Sequence, residues 1–135
     1  MIIDVEILVR LIAAAAAGGL IGFERSTANK PAGVRTLMLV GMGAALFTVV
    51  SITSFADADP TRVASGIVTG IGFLGAGTIF RAKNHVKGLT TAASMWVVAA
   101  IGIVVGLGEY FLAIASTILV ILILQLGRIR FSKET

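Results

Sequence analysis

Between Arg62 and Arg81 the chain reads VASGIVTGIGFLGAGTIF (Val63–Phe80), 18 residues without a charge. At the ~1.5 Å rise per residue of an α-helix, such a run crosses most of the ~30 Å hydrocarbon core of a bilayer. Asp59 and Pro60 stand just ahead of it. Asp followed by Pro suits a helix start, because the carboxylate accepts orphan amide hydrogens and Pro has none to lose. The run therefore predicts a membrane helix. Similar apolar runs cover residues 7–23 and 37–55 before it and 89–107 and 110–126 after it. The expected fold class is an all-α membrane protein of five transmembrane helices, at 7–23, 37–55, 63–80, 89–107 and 110–126, forming a single domain over residues 1–135.

Composition agrees. Of 135 residues 57% are hydrophobic and 13% charged, against about 25% charged in a soluble domain. The mean hydropathy is +1.01. Too few residues remain outside the runs for a separate soluble domain, which needs about 50. The absence of cysteine excludes thiolate sites, and the single histidine, His85, leaves little scope for imidazole catalysis. We expect no enzyme and no cofactor. The net charge of +4 is spread over short loops rather than gathered in a patch, so nucleic acid is not an expected partner.

The loops orient the chain. Arg25, Lys30, Arg35, Arg81, Lys83, Lys87, Arg128, Arg130 and Lys133 fall on one side of the predicted spans. The other side holds Arg62, with Arg10 able to snorkel toward it, and the carboxylates Asp4, Glu6, Asp57, Asp59 and Glu109. Basic residues mark the cytoplasmic side, which places the N-terminus outside and the C-terminus in the cytoplasm. The first run follows Asp4 and Glu6 rather than a basic leader, so it reads as a retained helix. Thr90 and Thr91, after Gly88, are candidate caps for the fourth span. Trp96, well inside it, is an expected packing residue.

A shift of 55 residues pairs Gly22–Val50 with Gly77–Val105 without a gap, matching Gly22 with Gly77, Asn29 with Asn84, Gly33 with Gly88 and Thr36 with Thr91, among others. This pattern is that of a parallel internal duplication.

Two features carry candidate function. The third run contains Gly66, Gly70, Gly72, Gly75 and Gly77, either a seam for close helix packing or a point where the helix breaks to line a pathway. Ala14, Gly18 and Gly22, and Gly102 with Gly106, repeat the small-residue device. Glu24 lies at membrane depth, where a charge costs ~2.5–3.5 kcal/mol or more at the bilayer centre. It reads as an ion-pair partner of Arg25, Arg35 or Arg81, or as a cation or proton ligand, the one candidate metal-binding residue. A hard divalent cation such as Mg²⁺ prefers carboxylate oxygen.

The strings GGLIGFER (Gly18–Arg25), AGVRTLMLVGMGAALF (Ala32–Phe47), DPTRVASGIVTGIGFLGAGTIFR (Asp59–Arg81) and VKGLTTAASMWVVAAIGIVVGLGEY (Val86–Tyr110) closely resemble the MgtC/SapB family of bacterial membrane proteins. The resemblance implies a multi-pass protein of the bacterial cytoplasmic (inner) membrane, associated with magnesium homeostasis and in some pathogens with virulence. Its candidate activity is Mg²⁺ transport. The alternative is a non-transporting regulatory module that binds other membrane proteins through small-residue helix faces. Membrane lipid and further copies of the chain are the other expected partners. Carried over residue by residue, the motifs nominate Glu24, Arg25, Arg35, Asp59, Arg62, Arg81, Thr90 and Thr91 as the functional polar set. Many family members carry Gln where this chain has Ser26 and Gly66, and His or Asn where it has Leu37. They often also have a C-terminal cytoplasmic domain, which this sequence is expected to lack.

Overall fold

Each predicted span is a helix in the computed structural model, which describes residues 2–55 and 57–129. In chain order these are α1 (Ile2–Thr27), α2 (Val34–Ser54), α3 (Pro60–Ala76), α4 (Leu89–Gly106) and α5 (Tyr110–Leu126). A hairpin of two short strands, β1 (Phe80–Ala82) and β2 (His85–Lys87), separates α3 from α4. Arg130, Lys133 and Glu134 lie outside the described residues.

The helix ends follow local chemistry. At the start of α3 the Asp59 carboxylate accepts from the Thr61 backbone N–H at 2.9 Å and from Thr61 Oγ1 at 2.7 Å, and Pro60 takes the first helical position. The expected cap is therefore realised. The expected Thr90 and Thr91 caps are not, because the residue preceding α4 is Gly88 at φ +90°, with no side-chain cap bond. A Cβ on Gly88 would stand 1.8 Å from the Thr78 carbonyl oxygen, so this turn admits only glycine.

The small-residue positions show how the helices pair. A Cβ built on Gly18 would stand 2.1 Å from Leu37 O, one on Gly22 2.7 Å from Val34 Cα, and one on Gly41 2.7 Å from Ala14 O. Helices α1 and α2 thus run antiparallel with backbones in near contact. A Cβ on Gly102 would stand 2.4 Å from Gly41 O, and one on Gly106 2.7 Å from Thr48 Cβ, so α4 runs parallel to α2. Gly75 meets Ala92, which sets α3 antiparallel to α4, and Arg128 reaches Glu24, which brings the end of α5 to the end of α1. Successive helices alternate in direction. Helix α4 touches all four others and is the hub of the core, which includes Ile21, Leu37, Ala45, Val98, Ala99 and Val105.

Among the described residues three helices are long and apolar enough to cross a membrane: α1 from Asp4, α2 and α4. Helix α5 is equally apolar but has 17 residues, and α3 also has 17 because it ends at Ala76 instead of running to Phe80. Up to that point α3 is one unbroken α-helix; it ends inside the Gly72–Gly77 string, with Gly77 as its C-cap. The 55-residue repeat keeps its register, since α2 starts at Val34 and α4 at Leu89, each behind its glycine, and the two helices run parallel. What precedes them differs: a tight turn through Asn29 (φ 54°) before α2, the hairpin before α4.

Candidate functional site

The alternation of direction divides the charges between the two ends of the bundle. Arg25, Lys30, Arg35, Arg81, Lys83, Lys87 and Arg128 belong to one end, with Glu24 their sole carboxylate among the described residues. The opposite end carries Asp4, Glu6, Asp57, Asp59 and Glu109, with Arg10 and Arg62.

Glu24 and Arg25 close α1 at the basic end, and both are buried, at 6% and 4% exposure. Arg25 Nε donates to Glu24 Oε2 at 2.8 Å. From the end of α5, Arg128 Nε stands 3.4 Å from Glu24 Oε1, while its Nη2 donates to Thr27 Oγ1 at 2.5 Å and to the Glu24 carbonyl at 3.3 Å. The carboxylate is thus held by two guanidinium groups, one buried and one half exposed. Neither pairing is saturated: Glu24 Oε1 and Arg25 Nη1 are buried without a hydrogen-bond partner. Arg128 was absent from the polar set read from the sequence, because it sits beyond the last apolar run and reaches Glu24 only through the packing of α5 on α1. Nearby, Ser26 Oγ accepts from Val34 N at 3.3 Å and closes the turn into α2, and Leu37 is fully buried against α1.

The remaining nominated residues do not converge here. Arg35 and Thr90 are exposed, Arg81 is exposed on β1, and Thr91 is buried in the core. Asp59 and Arg62 are at the far end, both exposed; Asp59 is engaged as the α3 cap, and Arg62 makes no ion pair with Asp57 or Asp59. The two Thr61 contacts hold the Asp59 carboxyl below its ordinary value, the side-chain bond contributing most and the backbone bond next. Among the described residues no three of His, Cys, Asp and Glu gather as metal ligands.

Arg10 reaches toward the carboxylate-rich end, as expected, and also ties two helices together. It is part-buried, pairs with Glu6, and its Nη1 donates to the Gly106 carbonyl at 2.7 Å, tying α1 to the last turn of α4. Several buried hydroxyls serve their own helices: Thr48, Ser94 and Thr117 each donate to the carbonyl four residues back at 2.8 Å, which satisfies a polar group in apolar surroundings. Ser51 Oγ is buried without a hydrogen-bond partner, beside a cavity of about 150 Å³ between α2, α3 and α4.

The α3 glycines divide. Gly75 packs on Ala92, but nothing lies within 4 Å of a Cβ on Gly66, Gly70 or Gly72. Gly66 and Gly70 line an open apolar groove of about 620 Å³ between α2 and α3, with Gly43, Leu39, Phe47 and Ile71 in its walls and Ala44 and Ala99 in its floor. The expected seam is therefore filled within the chain on α1, α2 and α4 and left empty along most of α3. Trp96, expected to pack inside, is 52% exposed on α4.

A family profile, the MgtC family, matches residues 11–130. The "Putative magnesium transporter YhiD" of Escherichia coli (strain K12) is 48% identical, over 89% of this chain and 60% of its own length. The "Protein MgtC" of Brucella abortus (strain 2308) is 50% identical, over 82% of this chain and 47% of its own, and that of Salmonella typhimurium (strain LT2) 47% identical, over 84% and 49%. The chain thus spans about half to three-fifths of the length of these curated relatives. No solved structure matches.

Proposed function

The chain belongs to the MgtC family, and from that premise we propose that it is a membrane protein of magnesium homeostasis whose activity is Mg²⁺ transport. The observation that carries the reading is the buried, incompletely paired carboxylate of Glu24, in a relative of a protein named a putative magnesium transporter. A hard divalent cation takes carboxylate oxygen and keeps most of its waters, so one such group at the mouth of the bundle is enough to receive it. Arg128, half exposed and on a different helix, is the partner a cation would displace; Arg25 is buried and stays. The segregation of charge supports an orientation with the basic end in the bacterial cytoplasm and the chain in the inner membrane.

Divalent-cation flux into liposomes carrying the purified protein, with an ion gradient and a membrane potential imposed, tests the proposal. Flux that Glu24→Gln abolishes is the expected result. No flux under either driving force, from protein shown to be inserted, refutes transport.

A second reading, a regulatory module that binds another membrane protein or a further copy of itself, is favoured by one observation, the unfilled groove at Gly66 and Gly70. Gly70→Leu fills that groove and is the diagnostic change. Gly102→Leu is not, because Gly102 faces Gly41 inside the chain and its replacement would disrupt the bundle.

A further inference from the structure

Among the described residues, no other element covers the hairpin. All six of its strand residues are exposed, Phe80 at 52% and Val86 at 53%. A two-stranded hairpin is marginal by itself in water. The register pairs Phe80 with Lys87, Arg81 with Val86 and Ala82 with His85. Partners across strands share a face, so Phe80, Lys87, Ala82 and His85 lie on one side and Arg81 and Val86 on the other. Each face thus joins an apolar side chain to a cation. Docking on a protein would call for one sticky face and one wet one; this ribbon is amphipathic on both.

Charge narrows the choice of occupant. Residues 79–88 include Arg81, Lys83 and Lys87 and no carboxylate. None of the three cations has an ion pair among the described residues, where the one carboxylate at this end, Glu24, is engaged by Arg25 and Arg128. Depth narrows it further. Helix α3 stops at Ala76 with Gly75 against Ala92, one turn inside the start of α4. The hairpin therefore rises from the rim of the bundle, its base closed where Thr78 meets Gly88. A 17-residue helix is ~25 Å long, a few ångströms short of a ~30 Å hydrocarbon core, so the uncharged residues after α3 cross the remainder and the charged hairpin reaches the headgroup layer.

We propose that the β1–β2 hairpin is an interfacial anchor that binds anionic phospholipid headgroups, Arg81, Lys83 and Lys87 meeting lipid phosphates while Phe80 and Val86 enter the acyl boundary. Cations near an anionic leaflet attract it individually and additively, and snorkelling stems cover apolar surface at the same depth. The inference rests on the chain spanning a membrane and is independent of what it transports.

The chain lacks cysteine, so Ala82→Cys accepts a single environment-sensitive fluorophore at the hairpin. The labelled protein is reconstituted into vesicles of phosphatidylcholine alone and of phosphatidylcholine with phosphatidylglycerol, and flotation with the vesicles scores insertion separately. In the anionic vesicles the probe should be shielded from a neutral aqueous quencher and quenched by a nitroxide on the lipid headgroup. Arg81→Gln, Lys83→Gln and Lys87→Gln should each weaken that shielding about fivefold. High salt should weaken it too, and inorganic phosphate no more than other salts of equal ionic strength. Because these side chains are exposed, the variants should keep the fold, which circular dichroism verifies. Equal accessibility in the two kinds of vesicle overturns the proposal. So does shielding that persists in lipid-free micelles, which would mean that a second chain covers the hairpin. Failure to float refutes the membrane reading instead.

Discussion

Gly18→Ala is the smallest change that tests the central packing of this bundle. The new Cβ would stand 2.1 Å from Leu37 O and 2.7 Å from Leu37 C, both backbone atoms, where real contacts begin at about 3.0 Å. No rotamer relieves this clash, because neither partner is a side chain. The seam between α1 and α2 must open by most of an ångström instead. A gap of 0.5–1 Å forfeits about a quarter to a half of each dispersion contact, worth ~0.1–0.2 kcal/mol apiece. The seam includes Ala14, Ile21 and Leu37, all at 0–1% exposure, so tens of such contacts weaken together. The expected cost is about 1–3 kcal/mol, as for overpacked cores generally. Gly66→Ala is the control: it makes the same chemical change on a helix, but nothing lies within 4 Å. It should shift stability by less than ~1 kcal/mol, toward stabilisation if helix propensity decides. Equilibrium unfolding in mixed micelles, followed by circular dichroism as sodium dodecyl sulfate rises, compares them directly. If Gly18→Ala unfolds at the same detergent fraction as Gly66→Ala, the close approach of α1 and α2 is wrong.

Other consequences are equally open to measurement. Glu24→Ala strands the buried Arg25 guanidinium and should cost about 3–5 kcal/mol, whereas Arg128→Gln removes a half-exposed partner and should cost under ~1 kcal/mol, by the same unfolding assay; equal losses would contradict the assigned burial. The Asp59 carboxyl titrates below its ordinary 3.8 when folded, so its capping contribution is complete above 3.8 and fades as pH falls through the lowered value. The amide resonance of Thr61 should therefore titrate in acid, and Asp59→Asn should make it flat; a midpoint above 3.8 would reverse the sign. For orientation, a membrane-impermeant thiol reagent added outside whole cells should label Ala58→Cys and miss Ala82→Cys, and the opposite pattern would invert the chain.

Much of this architecture was legible in the residues because lipid leaves few choices. Apolar runs located all five helices, Asp59–Pro60 located the start of α3, and Ala14, Gly18, Gly22, Gly102 and Gly106 named a seam that the backbones do close upon. The hairpin was not legible. Its strands have three residues each, too few for alternation to register, and the positive φ falls on Lys83 (47°) rather than on the neighbouring Asn84 that turn chemistry would nominate. Apolar Thr78–Phe80 looked like the end of a helix because hydropathy counts composition and is blind to where Gly77 stops the ladder. The site was half legible. Glu24 with Arg25 follows from adjacency, but Arg128 is 104 residues away and is brought in by tertiary packing. Thr91 and Trp96 exchange the roles expected of them, the hydroxyl inside and the indole outside, since with lipid as the surrounding solvent a large aromatic gains little from being enclosed.

Trp96 is the chain's one tryptophan, and it stands on the outward side of the hub helix, about two turns from that helix's start. The protein therefore contains a native optical gauge of its own perimeter. With brominated acyl chains in the bilayer its emission dims as long as lipid bathes that side, and it recovers the moment another helix takes the lipid's place. Assembly of copies or capture of a partner across α4 can thus be followed in unmodified protein, without a dye or a substitution.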